Sequence, residues 1–479
     1  MIGQRMTYGH IAAMGCYIPQ LRADRAAMAA ALRFSGLGGR GAGHRAVAGW
    51  DEDPLTLAVE AARNVGEAPA ERLVLATTSN PYYERSLASL AVEALGWPAT
   101  TRTFDAAGTR RSAVSALADS LLVAQSTLIV AAEKRLARPG SAQHLQFGDG
   151  AASALTDSHG AARLIGHASL ARDFLDFHSS RDHPAPYAAE ERFVRDTAGR
   201  DIIVPTIAAA CRSAQIDASA VAHAAIHEPL AGMGRDIARA AGLTATNHAE
   251  ALTAGAGDLG AAHPLFALAL AFAAAKPGDR VLLVGFGSGC DALIFELDAP
   301  MPGAQAAADA LAHGLILKDH ARFLSLTGAI DLDWGMRAEL EQKAQPTVIE
   351  RHGRDTIGFI GARDAAGNVQ FPKSRIPVRP GADGPETMEA VRLADVPATL
   401  VSVTADRLNF TPDPPFWFGL VQFENGARVL MELTDANPTG FAVGDALRMR
   451  LRIKSHDRRR GLRTYFWKAA PAARAQLEV

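Results

Sequence analysis

In this chain of 479 residues, 49 Lys and Arg nearly balance 51 Asp and Glu, and the net charge of −2 excludes a general nucleic-acid binder. A hydrophobic fraction of 48% against 21% charged residues is that of a soluble globular protein with core enough for two to four domains. Its three cysteines, Cys16, Cys211 and Cys290, are widely spaced, which excludes a disulfide framework and fits a reducing compartment. The N-terminal stretch MIGQRMTYGHIAAMGCYIP lacks a basic region followed by a long apolar run. Residues 265–275 are too few and too alanine-rich to span a bilayer, so a cytoplasmic protein without membrane contact is expected.

Up to about residue 300, short β-type runs alternate with amphipathic helical stretches. Residues 72–77 (RLVLAT), 126–131 (STLIVA) and 279–286 (DRVLLVGF) read as buried strands beside helices, which predicts an α/β architecture with a largely parallel sheet. The order helix, apolar strand, small-residue turn, helix occurs around residues 73–76 and again around 222–227, pointing to two duplicated halves. Residues 301–350 read as a connector that starts with a helix (MPGAQAAADAL) and continues as HARFLSLTGAIDLDWGMRAEL. From about 351 helix signals give way to strand runs at 400–405, 416–423, 428–433 and 446–454, the pattern of an all-β barrel.

Residues 103–117, TFDAAGTRRSAVSAL, read as a strand end, a tight turn and a helix start. Such a turn presents one side chain to unpaired N–H groups and the positive end of a helix dipole, where a nucleophile or oxyanion is stabilised. Cysteine is the usual nucleophile there, and this stretch has none. QFGDGAA at 146–152 reads as a turn where backbone approaches backbone, and GFGSG at 285–289 as close packing, its spacing being wrong for a dinucleotide fingerprint.

Taken in order with AAIHEPLAG (224–232), GAGDLGAA (255–262) and VLLVGFGSGCDALIF (281–295), these motifs resemble the thiolase superfamily. The nearest branch is 3-hydroxy-3-methylglutaryl-CoA synthase and ketoacyl synthase III, over residues 8 to about 300. The resemblance implies a five-layered fold of two duplicated halves (1–165 and 166–300), a homodimer, and an acyl-CoA substrate bound between the halves. It also implies a Cys that takes the acyl group, a His, an Asn and, in the synthase branch, a Glu. In this sequence the Cys position holds Arg110, the Glu position falls near Thr78, the His is His227 and the Asn position holds Asp258. Glu84 is an unaligned substitute for the Glu, and Cys290 reads as a buried apolar residue.

A cysteine-free site of His227, Asp258, Asp105 and Arg110 or Arg111, with His263 and the loop tyrosines Tyr82 and Tyr83, is therefore expected. Such groups can run acid–base chemistry on a CoA thioester, as in an aldol or retro-aldol reaction. Asp105 has a second reading as a cap of the helix that follows it.

Residues 351–479 resemble the zinc-ribbon and OB-fold proteins that accompany thiolase-like enzymes, through GFIGARDAAGNVQFPKSRIPV (358–378) and residues 410–451 with the P-x-P-P loop at 412–415. The division expected is a connector at 301–350, a degenerate ribbon at 351–385 and an OB-fold at 386–479. The four ribbon cysteines are replaced near Arg363, Ala366, Ile376 and Arg379, so no zinc or other metal is expected. In ALRMRLRIK, apolar residues alternate with Arg448, Arg450, Arg452 and Lys454. This cationic line reads as a solvated edge or, with Arg459, as a contact for CoA phosphates or for an acidic partner surface. The consecutive Phe416, Trp417 and Phe418 make a poor stacking platform, so no nucleic acid is expected. Resemblance to assemblies in which synthase-like and OB-fold chains serve a separate thiolase leaves a second reading, a non-catalytic scaffold subunit.

Overall fold

The computed structural model describes residues 8–36, 41–66, 69–336, 346–382 and 384–477; residues 1–7 of the N-terminal stretch and 337–340 of the connector stretch lie outside them. Ten strands form the main sheet. They are β1 (His10–Tyr17), β2 (Arg72–Ala76), β3 (Arg102–Ala106), β4 (Thr127–Glu133), β5 (Gly150–Asp157), β6 (Ala162–Ala171), β7 (His223–Ile226), β8 (Thr246–Asn247), β9 (Arg280–Phe286) and β10 (Gly289–Leu297). Their order is β8-β7-β9-β10-β6-β1-β5-β4-β2-β3.

Read outward from the centre, each half has the same logic. β1 pairs antiparallel with β5 and β5 with β4, after which β4, β2 and β3 run parallel. In the other half β6 pairs antiparallel with β10 and β10 with β9, after which β9, β7 and β8 run parallel. Within the main sheet the halves pair where His10 and Ile11 meet Arg163 and Ala162. This is an internal duplication, and the strands at 72–76 and 223–226 occupy equivalent places in it.

Period-two alternation sets the layers. In β2, Val74 and Ala76 face a core shared with α3 (Ser112–Leu122) and α5 (His263–Ala274), while Leu73 and Leu75 face α1 (Pro54–Arg63) and α2 (Leu87–Leu95). In β9, Val281 and Leu283 face the shared core, and Leu282 and Val284 face α4 (Val204–Ala214). The two central helices, buried nearly all round, lie between the two half-sheets, which gives five layers.

A five-stranded C-terminal sheet follows in the order β13-β12-β11-β14-β15, from β11 (Ala398–Asp406), β12 (Phe416–Phe423), β13 (Arg428–Glu432), β14 (Ala446–Asp457) and β15 (Leu462–Pro471). A bridge between Leu433 and Ala469 draws the two edges together into an OB-like barrel. The helix Pro346–Ile357 corrects the expectation that helix ends near 351; its last carbonyl accepts a hydrogen bond of 2.6 Å from the Trp467 indole. Trp417 packs inward on Phe441, and Phe416 and Phe418 pair on the other face.

In the cationic line of β14, Lys454 is exposed and Arg448 partly so, but the middle of the line is not a solvated edge. Arg450 and Arg452 are buried against the first domain. Arg450 meets Glu60 at 2.9 Å and Asp435 at 3.1 Å, and Arg452 meets Glu52 at 3.1 Å and Asp435 at 2.9 Å. Lys468 holds Asp51 at 2.9 Å, and Arg463 and the Tyr465 hydroxyl both reach Asp53 at 2.8 Å. Asp53 meanwhile caps α1, in a capping box with Thr56. These contacts correct the assignment of Arg450 and Arg452 to CoA phosphates, because their guanidiniums are sealed in the domain interface.

In the ribbon, three short strands (Ile360–Arg363, Val369–Gln370 and Glu389–Arg392) form a small sheet. The positions equivalent to the four metal ligands offer two guanidiniums, a methyl and an alkyl side chain, a donor set that does not fit zinc. Arg379 instead bridges Asp364 at 3.0 Å and Glu386 at 2.7 Å.

Replacing Arg452 with Met leaves the buried Glu52 without its cation and removes a second one from Asp435. Guanidinium unfolding is expected to show a loss of about 3–5 kcal/mol for Arg452→Met, against less than about 1 kcal/mol for exposed Lys454→Ala.

Candidate functional site

Two loops meet below the first half-sheet. The loop before β5 and the loop before α5 are joined where the Gly148 N–H donates to the Asp258 carbonyl at 2.9 Å and the Asp258 N–H to the Gln146 carbonyl at 2.8 Å. A Cβ on Gly148 would sit 2.0 Å from the Ala256 carbonyl oxygen, so only glycine allows this approach. At the start of α3, the Thr109 hydroxyl donates to the Gly287 carbonyl at 2.7 Å, and a Cβ on Gly287 would collide with that hydroxyl at 2.5 Å. The small-residue motifs are thus close-packing devices that bring the strand ends of both halves together.

Asp258 is the hub. Its Oδ1 accepts from the Gly260 N–H at 2.8 Å and lies 3.2 Å from His227 Nε2; its Oδ2 accepts from Arg135 at 2.6 Å and lies 3.9 Å from Arg110. Burial favours the protonated acid, but Arg135 and His227 outweigh it and hold the carboxyl well below the usual carboxylate range. An ionised carboxylate only accepts, so His227 Nε2 carries the proton and Nδ1 keeps its lone pair. Burial, reinforced by Arg110 and Arg135, pushes the His227 imidazole below 6.5 despite the Asp258 contact, so it is neutral near pH 7. Its Nδ1 is buried and has no hydrogen-bond partner among the described residues.

His263 stacks on His227 with ring centres 5.2 Å apart and accepts from the Leu259 N–H at 3.3 Å. Burial and the His227 neighbour push it down to about 3. Arg135 lies over the Phe147 ring at 3.3 Å, and Arg110 is buried in an ion pair with Asp176. The floor therefore gathers two guanidiniums, two carboxylates and two neutral imidazoles.

Glu133, at the end of β4, was not legible as a site residue. Fully buried, it accepts from the Thr78 N–H at 2.8 Å, the Thr78 hydroxyl at 2.9 Å, the Ser79 hydroxyl at 2.5 Å and the Ala261 N–H at 3.2 Å. Burial raises its pKa. Its one sequence signal is a charge closing an apolar strand. It stands against Thr78, so a carboxylate reaches that position from another strand.

Above the floor opens a cleft of about 2020 Å³, walled by the first domain, the segment 325–335 and the barrel. Arg110, Arg135, Thr78, Asp176 and Ser288 line it; His227 and Asp258 lie behind the two arginines. Other expected residues do structural work. Asp105 accepts from the Leu87 and Ala88 N–H groups at 3.0 and 3.1 Å, so it caps α2, the helix before it in sequence. The Tyr82 hydroxyl accepts from Arg85 at 3.0 Å and from the Arg463 N–H at 2.9 Å, tying this loop to the barrel. Arg111 pairs with Asp291 at 3.2 Å. Tyr83 is exposed on the cleft wall beneath Arg181, Glu84 is exposed, and Arg459 lies at the barrel lip. All three cysteines are buried, and burial pushes their thiols up, Cys290 to about 12, so none is a poised nucleophile.

No family model matches the chain. A hydroxymethylglutaryl-CoA synthase of Aeropyrum pernix is 28% identical over 313 residues, covering 62% of this chain and 84% of that protein. One of Pyrococcus furiosus is 25% identical over 304 residues, covering 60% and 85%. Among solved structures, MvaS in complex with 3-hydroxy-3-methylglutaryl coenzyme A aligns with a TM-score of 0.53 at 18% identity over 66% of this chain and 92% of its own. The 3-oxoacyl-(acyl carrier protein) synthase III of Pseudomonas aeruginosa PAO1 aligns at 0.52 and 21% identity over 61% and 99%. At such identities the structural likeness speaks for the fold alone. The chain has a thiolase-like fold and is similar to hydroxymethylglutaryl-CoA synthase. About two-fifths of this thiolase-like chain lies outside the match to those synthases.

The Asp258–His227 contact makes a measurable claim about tautomer. Nitrogen-15 spectra of the thiolase-like chain are expected to show His227 protonated at Nε2 and bare at Nδ1 from pH 8 down to below 6.5. Asp258→Asn is expected to shift that resonance pattern.

Proposed function

We propose that this protein forms or cleaves carbon–carbon bonds of acyl-CoA substrates without a cysteine nucleophile, by acid–base chemistry of the aldol or retro-aldol type. One observation carries the reading: a neutral imidazole with a free Nδ1 lone pair, oriented by an ionised Asp258, stands directly behind two guanidiniums that line a cleft. In the cleavage direction, His227 Nδ1 takes the proton of a β-hydroxyl, directly or through one water. The Cα–Cβ bond breaks to a carbonyl product, and the Arg110 and Arg135 guanidiniums hold the enolate oxygen of the thioester left behind. The hydroxymethylglutaryl-CoA synthase relatives support acyl-CoA carbon–carbon chemistry in general. Arg459, at the barrel lip, is the retained candidate for CoA phosphates.

A second reading, a scaffold subunit serving a separate Cys-bearing thiolase, is favoured by His227 and Asp258 lying behind Arg110 and Arg135 rather than on the cleft wall. The exposed sheet edge β3, with Phe104 57% accessible, suits pairing with a second copy in a homodimer or with such a partner.

With a β-hydroxyacyl-CoA as substrate, His227→Ala is expected to lower kcat by about 10²–10⁴-fold. The wild-type kcat/KM should fall on an acid limb whose midpoint lies below 6.5, because protonation fills the Nδ1 lone pair. Unchanged turnover in His227→Ala, or activity only after a thiolase is added, supports the scaffold reading.

A further inference from the structure

Apolar side chains of this protein are mostly inside, and those left exposed are not scattered evenly. Six large ones, Tyr83, Leu136, Leu175, Leu332, Trp334 and Phe410, line the one cleft, each at least 36% accessible. They come from five separated stretches of chain: the loop after β2, the segment after β4, the loop after β6, the connector and the β11–β12 loop. Tyr83, Leu136 and Leu175 belong to the first domain. Trp334 and Phe410, the latter from the barrel, meet edge to face at 5.7 Å. Exposed apolar surface gathered from several elements into one concavity marks a ligand site, since each such group in water forgoes about 25 cal/mol per Å² of burial.

The volume points the same way. A cleft of about 2020 Å³ is roughly twice the upper end of ordinary small-molecule pockets. Arg458 and Arg459 stand exposed on the barrel lip, where they suit phosphates, whereas the six apolar residues suit no part of a nucleotide phosphate.

We propose that the acyl group of the substrate is a large apolar body of about ten carbons or more, held between Leu175 and Tyr83 on one wall and Trp334 and Phe410 on the other. This rests on the acyl-CoA reading given above. It makes the connector and the barrel loop the specificity-determining wall of the site.

The test is calorimetric titration of the full chain with CoA, acetyl-CoA and decanoyl-CoA. Decanoyl-CoA is expected to bind at least tenfold more tightly than acetyl-CoA. Trp334→Ala and, on the opposite wall, Leu175→Ala should each erase most of that gain while leaving the affinity for CoA itself unchanged. Equal affinity for acetyl-CoA and decanoyl-CoA overturns the inference and leaves the acyl-CoA reading standing. Absence of binding by all three overturns both. Two positions are used so that misfolding of one variant, seen as loss of CoA affinity, still leaves the other to decide.

Discussion

Three consecutive carboxylates, Asp51, Glu52 and Asp53, are buried where the two domains meet, and the architecture depends on their neutralisation. Unpaired charges in such a place cost several kcal/mol each. Every one of the three is met by a group from the barrel: Lys468, Arg452, or Arg463 with Tyr465. The first domain therefore cannot present this loop to water in its native form without exposing the contacts that organise α1, since Asp53 is also the cap of that helix. The barrel is an integral part of the protein, and the cleft between the domains is as fixed as the ion network behind it.

That fixed geometry explains the division of labour around the cleft. The floor is polar and comes from the strand ends of the duplicated halves, as their pairing dictates. The walls are apolar and come from loops and from the added domain. Arg110 lies at the helix start where the sequence predicts a nucleophile position, and its ion pair with Asp176 makes that position electrostatic. The imidazole of His227 depends on Asp258 for its tautomer, and Asp258 depends on Arg135 for its charge. The site is a chain of dependencies running from a backbone turn to one lone pair.

Much of the fold was legible because its signals are local. Buried runs such as RLVLA and RVLLVGF have no other stable use, and the turn glycines mark close backbone approach wherever they fall. The site was less legible because its decisive contacts are not local. Asp105 was read against the helix that follows it, yet it caps one that precedes it, because β2 and β3 are neighbours in space. The alternation of β14 gave the right faces but not their surroundings, since whether a line of arginines meets water or another domain depends on residues 390 positions away. Glu133 looked like the polar end of a strand, and only the packing of residues 77–79 and 261 around it shows a buried carboxylate.

The bridge of Arg379 to Asp364 and Glu386 also bears on the life of the protein in a cell. A zinc knuckle ties folding to the supply of a scarce ion and to the redox state of four thiols. A guanidinium clasp is encoded in the chain and complete as soon as the chain is made. It weakens with ionic strength but resists all except strong acid, because Asp364, hydrogen-bonded to Asn368 and Arg379, is held down at about 2 and keeps its charge through the physiological range. The clasp itself draws on no metal ion and no thiol.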